Sequence, residues 1–188
     1  MEQAWQTIKT CWTDWDTAPI DPILRLLLSS DGTTVRNFKG LFLRQAGLEL
    51  IAQHEVAVNA PLSLQLSIPK GEKVLERSVW LTLEAGDGVK KKVLFASSVF
   101  PLLRLTPKLN LALQLGEKPL GQIIEEDHLP TFRDFLEVGF LPFPEVAQGL
   151  SLPKDTLFWA RRYRLWINGT VSAFICEVFS PQLSSCSS

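Results

Sequence analysis

Two apolar stretches in this chain fold back on themselves after a few polar residues, and no other feature limits its fold as tightly. "VLERSVWLTLE" (Val74 to Glu84) is followed by "AGDGVKKK" and then by "VLFASSVF" (Val93 to Phe100). "FWARRYRLWI" is followed by "NGT" (Asn168 to Thr170) and then by "VSAFICEVF". β-Branched and aromatic residues fill the arms, while glycine, aspartate and asparagine fill the turns, which is the pattern of β-hairpins. Strands joined by so few residues must run antiparallel. Lys90 to Lys92 read as part of a solvated turn. "NGT" also matches a glycosylation sequon, but the amino-terminal stretch "MEQAWQTIKTCWTDWD" lacks the basic and apolar regions of a signal peptide, so the turn is the better reading.

The rest of the chain supplies helices and further strands. Asp21 and Pro22 form an N-cap and first-turn pair, "ILRLLL" is the helix body, and Ser29 to Gly32 end it. A second helix is expected from about Thr34 to Gln45, closed by Gly47. "LELIAQHEVAV" and "FRDFLEV" read as strands. Thr106 and Pro107 start a helix over "KLNLALQL", stopped by Gly116. "FLPFPEVAQGLSLPKD" (Phe140 to Asp155) is rich in proline and glycine and reads as a long connection, a candidate mobile cover. The fold class is therefore α+β: one antiparallel sheet of about six strands with helices packed on one face. At 188 residues the chain is expected to form one domain, 1–188.

Several function classes drop out. A net charge of -1 gives no electrostatic case for nucleic acid or an anionic membrane. No apolar run reaches the roughly 20 residues of a membrane helix; without a signal or transit peptide a cytoplasmic location is expected, and with nothing suggesting an obligate oligomer, a monomer. Cys11, Cys176 and Cys186 show no CxxC spacing and no neighbouring histidine, which argues against a zinc site or a disulfide framework. Cys176 reads as a small core residue. His54 and His128 lack a second ligand at metal spacing, so no metal site is expected. Ser97 and Ser98 lack a GxSxG context, and there is no phosphate-binding loop and no dinucleotide fingerprint.

Two charges stand where apolar side chains belong. Side chains alternate along a strand. Leu75, Arg77, Val79, Leu81 and Leu83 share one face, with Arg77 its only charge. Val171, Ala173, Ile175, Glu177 and Phe179 share another, with Glu177 its only charge. An unpaired charge inside an apolar face costs several kcal/mol. Either the two pair with each other, or one sits at an exposed strand end, or both belong to a polar site within an apolar pocket. In the last case Arg77 would fork onto a carboxylate and Glu177 would face a hydroxyl at the other end of the ligand. In "RRYR", Arg162 and Arg164 share a face and Arg161 points the other way. Some of these read as solvated strand surface and some as a positive approach to an anion.

A turn, "LQLGEKPLGQ" (Leu113 to Gln122), completes the set. Pro119 fixes the backbone, Gly121 permits an unusual φ or a close approach, and Leu120 keeps an N–H to offer an anion. Taken in order, "DPILRLLLSSDGTTVRNF", "LERSVWLTLEAGDG", "ASSVFP", "LQLGEKPLG", "FRDFLEVG" and "WARRYRLWINGTVSAFICEVFSP" resemble segments of the chorismate lyase (chorismate–pyruvate lyase) family. The likeness spans about Asp21 to Pro181, and the length of Phe140 to Asp155 resembles the longer members found in photosynthetic lineages.

The resemblance implies conversion of chorismate to 4-hydroxybenzoate and pyruvate, early in quinone (plastoquinone or ubiquinone) biosynthesis, with no cofactor. It implies that Arg77 and the backbone at Leu120 and Gly121 bind the ring carboxylate. Glu177 would lie near the ring hydroxyl, and Thr34 would offer a further backbone contact. Arg77 and Glu177 are the expected catalytic pair. Ser97 departs from the arginine of bacterial members, which leaves the second carboxylate to another group, Arg162 or Arg164 being candidates. The alternative is a non-catalytic domain of the same fold that binds a hydroxybenzoate-type small molecule, as in one class of bacterial regulators. Those normally carry a DNA-binding domain in front, for which the twenty residues before Asp21 are too few. A third reading is a lyase that makes another hydroxybenzoate isomer.

Overall fold

Strong local signals set the helices and hairpins where the sequence places them. The computed structural model describes residues 5–7, 20–84 and 88–186. Cys11, the Ala85 to Asp87 part of the first turn and the last two residues lie outside the described residues. Helix α1 (Pro22–Ser29) begins at Asp21, whose carboxylate accepts from the N–H groups of Ile23 and Leu24. Helix α2 (Thr34–Phe42) follows, capped by the Thr33 hydroxyl. It ends at Leu43 in the left-handed conformation, φ 55°, three residues before the expected end at Gln45 and Gly47. Gly47 instead opens a strand and packs against Thr82, whose Oγ1 would lie 2.7 Å from an added Cβ.

The strands are β1 (Trp5–Thr7), β2 (Gly47–Ala57), β3 (Lys73–Glu84), β4 (Lys90–Pro101), β5 (Thr131–Pro142), β6 (Leu157–Ile167) and β7 (Thr170–Phe179). Six are long and one is three residues. They form a single antiparallel sheet in the order β1-β5-β6-β7-β4-β3-β2. The α+β class with one antiparallel sheet thus holds. Lys90 to Lys92 belong to β4 rather than to the turn, because they pair with Glu84, Leu83 and Thr82. Lys92 also meets Glu49 at 3.1 Å and lies 5.4 Å from the centre of the Trp80 ring.

Helices α1, α2, α4 (Pro107–Leu115) and α5 (Leu120–Glu126) cover the face that carries Arg77 and Glu177. Thr106 caps α4 and Gly116 ends it at φ 68°, as the sequence predicts. Helix α5 was not expected: it starts inside the "PLG" turn, with Pro119 as its N-cap. Two short helices, also unexpected, cover the opposite face. One is α3 (Ala60–Leu66), which brings Leu62 and Leu66 onto Val74, Val99 and Val171. The other is α6 (Pro144–Gly149), which sets Val146 and Ala147 on Trp80, Phe158 and Val178. With both faces covered, β3, β4 and β7 are buried along most of their length rather than on alternate residues.

The Phe140 to Asp155 segment is therefore not a structureless connection. It continues β5 to Pro142, forms α6 and returns into β6, on the face away from Arg77. Two bulges also shift side chains between faces. In the β6–β7 pair, Leu165 faces Ala173 but Trp166 faces Val171, so Ser172 is the extra residue. Val171 consequently packs with Val58 and Leu66, not beside Ala173 and Ile175 as strict alternation requires. In β5 the bulge falls at Phe135, φ 50°.

Candidate functional site

The starts of α2 and α5 and the strands β3, β4, β5, β6 and β7 line one mainly apolar cavity. Its volume is about 60 Å³. Val79, Leu81, Leu94, Ile124, Leu165 and Ile175 give its apolar wall. Thr34, Arg77, Leu120, Gly121 and Glu177, the five site residues expected from the strand faces, the turn and the family resemblance, all line it. Ser98 lines it too, directly opposite Arg77 in the β3–β4 pair. Ser97 is exposed and its neighbours in register place it on the other face, so an arginine at that position would not enter this cavity.

Arg77 and Glu177 do not pair, and neither is at an exposed end. They lie two strands apart, with Val79, not Arg77, aligned through Ala96 to Glu177. Standard strand spacing puts their Cα atoms roughly 12 Å apart. Arg77 is 4% exposed. Its Nη2 donates to the Lys118 carbonyl at 3.1 Å, its Nε has no acceptor, and among the described residues it has no carboxylate partner. Burial pushes its guanidinium down to about 10. A buried cation with an unsatisfied donor at a cavity wall has the chemistry to take an anion.

Glu177 has a different partner, Arg161. Arg161 Nε donates to Glu177 Oε2 at 2.6 Å, and the arginine is fully buried. Its remaining donors reach the carbonyls of Leu27 at 2.6 Å and Ser30 at 2.9 Å, and the Thr34 hydroxyl at 3.1 Å. Thr34 in turn donates its hydroxyl to Glu177 Oε1 at 2.6 Å. Burial by itself pushes the Glu177 carboxyl up, but Arg161, the Thr34 hydroxyl and Arg133 outweigh it and hold the carboxyl below its usual range. Glu177 is thus an ionised acceptor at neutral pH. Thr34 contributes its side chain here, beyond the backbone contact that the resemblance implies.

Two helix starts open on the cavity. Thr33, Thr34 and Val35 begin α2; Pro119, Leu120 and Gly121 begin α5. Pro119 offers no capping side chain, so the first N–H groups of α5, that of Leu120 included, lack an intrahelical partner. Both helix starts add partial positive charge. Gly121 serves close approach rather than unusual φ: an added Cβ would lie 3.1 Å from Thr33 Cβ and 3.2 Å from Val35 Cγ2. Thr33 Cβ is fixed to the backbone, so the two helices must separate to admit a methyl group. Gly121→Ala is expected to cost about 1–3 kcal/mol and to lower the melting temperature. An unchanged melting temperature would mean that the contact yields freely. A larger polar hollow of about 470 Å³, bounded by Asp31, Arg36, Glu125 and His128, shares Thr33 and Ile124 with the inner cavity. The Thr33 hydroxyl donates to Glu125 across that common wall.

Sequence reasoning missed two arginines. Alternation sets Arg161 on the other face from Arg162 and Arg164 but assigns it no partner; it is the buried partner of Glu177. Arg162 and Arg164, the candidates for a second anion contact, lie on the opposite face and pair with Glu137 and Asp134, each at 2.5 Å. Arg133 was not singled out. It is 8% exposed, lines the cavity, donates to the Asp31 carbonyl and sits 4.9 Å from the centre of the Tyr163 ring. Its signal was hidden by the β5 bulge. In a regular strand Asp134 and Glu137 would point to opposite faces; the extra residue at Phe135 lets both pair with the arginines of β6 while Arg133 and Val138 both point inward.

Residues 28–187 match the model of the family described as Rv2949c-like chorismate pyruvate-lyase. No curated protein matches the chain significantly. Among solved structures the chain is similar to PhnF from Mycobacterium smegmatis, at 20% identity and a TM-score of 0.61, covering 82% of this chain and 66% of that one. It is similar to the effector domain of the same PhnF, at 20% identity and 0.61, covering 80% and 90%. A GntR-family transcriptional regulator from Bacillus cereus aligns at 12% identity and 0.54, covering 73% and 92%. At these identities the structural likeness speaks for the fold. Among the described residues no helix is long and apolar enough to cross a membrane.

Proposed function

The chain belongs to the Rv2949c-like chorismate pyruvate-lyase family, and from that premise we propose that it converts chorismate to 4-hydroxybenzoate and pyruvate. The observation that carries the reading is Arg77: a buried guanidinium with an unsatisfied Nε and no carboxylate partner among the described residues, at the wall of an apolar cavity. It supplies a ready socket for a ring carboxylate. The N–H groups at the start of α5, at Leu120 and Gly121, support the same carboxylate, and those at the start of α2, at Thr34, add positive potential.

Glu177 then takes the far end of the ring. As an ionised carboxylate it accepts the hydrogen bond of the ring hydroxyl. In the reaction the carbon–oxygen bond to the enolpyruvyl group breaks, the proton on the hydroxyl-bearing ring carbon is lost, and the departing enol gains a proton to become pyruvate. Aromatisation drives the step. The protein contributes orientation and a fixed electrostatic field, arranged before substrate arrives. Glu177 is too strongly held as the anion to act as an acid; its place is acceptor, at the hydroxyl. The product is a precursor of the kind that quinone biosynthesis consumes.

The test is to incubate purified protein with chorismate and separate the products by chromatography. Equal amounts of 4-hydroxybenzoate and pyruvate, above the spontaneous background and reduced in Glu177→Gln, are the expected result. A different hydroxybenzoate isomer would keep the lyase and change its product. The regulator effector domains among the fold relatives motivate the second reading, a non-catalytic binding domain. Saturable 4-hydroxybenzoate binding without turnover would favour it.

A further inference from the structure

Arg161 and Glu177 cancel each other, which leaves two guanidinium groups at the cavity wall without a carboxylate partner among the described residues. One is Arg77. The other is Arg133, whose Nε also lacks an acceptor. The two reach the cavity from distant elements, Arg77 from the middle of β3 and Arg133 from β5, across the sheet beyond β4, β7 and β6. Arg133 is held in place: it donates to the Asp31 carbonyl and lies against the Tyr163 ring, whose other neighbour is Arg161 at 5.3 Å. Asp31 precedes the Thr33 and Thr34 start of α2, so the Arg133 side chain spans from the last-joined strands to the helix that also holds Glu177.

We propose that Arg133 is a second anion subsite of this cavity, and that the pocket is built for a dianion: a ring carboxylate on Arg77 and a side-chain carboxylate on Arg133. This rests on the reading of the cavity as the substrate site. One carboxylate leaves a buried guanidinium unmatched, and two satisfy both. Among the described residues on the cavity wall itself, Glu177 is the one carboxylate; those of Asp31 and Glu125 border the adjoining hollow. The Glu177 negative charge is already matched by Arg161, and the two helix starts add positive rather than negative potential. Arg133 would then separate substrate from product, because chorismate carries the second carboxylate and 4-hydroxybenzoate does not. It also takes the place that Ser97, Arg162 and Arg164 cannot fill from the other face.

A pair of unreactive ligands decides the matter on the unaltered protein. The first is 3-(carboxymethoxy)-4-hydroxybenzoate, which keeps the hydroxyl opposite the ring carboxylate and carries the second carboxylate on the neighbouring carbon; the second is its analogue with the side-chain carboxylate replaced by a primary amide. They differ in one charge and hardly in shape. Isothermal titration should give the dianion at least tenfold tighter binding, the lower end of the range for one charge-assisted bond. In Arg133→Gln that ratio should fall towards one, with 4-hydroxybenzoate affinity changed less than threefold. In Arg133→Lys part of the ratio should return, because the charge remains without the fork. Equal affinity of the unaltered protein for the two ligands would overturn the second subsite while leaving Arg77 and the lyase reading intact. An undiminished ratio in Arg133→Gln, or an equal loss for all three ligands, would assign Arg133 a structural role only. Failure of the unaltered protein to bind any of them would sink the cavity as substrate site, and the subsite with it.

Discussion

Arg77→Met should make the ligand-free protein more stable and the site nearly useless. Both effects come from one fact, that a buried guanidinium stands at the cavity wall without a counter-ion. Burial pushes its pKa down from the ordinary arginine range to about 10. At neutral pH the group is still charged, so the folded state carries the whole unfavourable term; it is relieved only as pH rises through 10. By the standard conversion the term is about 3 kcal/mol. Methionine replaces the aliphatic stem with an apolar chain of similar reach and removes the charged head, at the loss of one bond to the Lys118 carbonyl. A net stabilisation of about 1–3 kcal/mol is expected, or several degrees in melting temperature for a chain of this size. Affinity for 4-hydroxybenzoate should fall ten- to hundredfold, because a charge-assisted bond to a carboxylate is worth about 1.5–3 kcal/mol. Thermal melts and titrations on the same sample test both. A variant less stable than the parent and equally able to bind would remove Arg77 from the site.

Glu177 should behave in the opposite way. Its carboxylate is the partner of a fully buried arginine, and removing one member of a buried pair strands the other. Glu177→Ala is expected to cost about 3–5 kcal/mol, a large share of the 5–15 kcal/mol that holds a domain together. Glu177→Gln keeps an oxygen for Thr34 or Arg161 and should cost less. Replacing both partners at once, by Arg161→Met with Glu177→Leu, should recover much of the loss. The pair also fixes a pH dependence. The folded Glu177 pKa lies below its unfolded value, so its contribution is fully present above the unfolded pKa of about 4.3 and is lost as pH falls through the folded pKa. Melting temperature against pH should therefore drop more steeply below pH 4.3 in the parent than in Glu177→Gln. Parallel curves would show that the pair contributes nothing to acid stability.

The two arginine–carboxylate arrangements show how much of the site could be read from the sequence. Arg77 and Glu177 were visible because each is a lone charge on an apolar strand face, and a charge in that position must be answered by something. What answers it is a matter of distance across the sheet. Arg77 and Glu177 suit each other on paper, yet two intervening strand spacings keep them apart, while Arg161 lies directly beside Glu177 in register. Arg161, Arg162 and Arg164 look alike in sequence; one becomes the most buried cation among the described residues and two face acidic residues of β5.

Local signals decided the rest of what was legible. Asp21 with Pro22, Thr106 with Pro107, Gly116 and the two hairpin turns act on their own neighbours, within a few residues, and their elements form where they stand. The α+β class and the single antiparallel sheet follow from them, since short turns leave strands no other direction. Non-local packing decided everything else. Helix α5 forms in a turn-like segment because Gly121 lets it press against Thr33 and Val35, and α6 forms where Trp80 and Phe158 need cover. The bulge at Phe135 rotates Arg133 into the cavity through pairing with a strand some thirty residues further on. Alternation carries no information about such a rotation, because an extra residue in one strand is defined only by the residues opposite it.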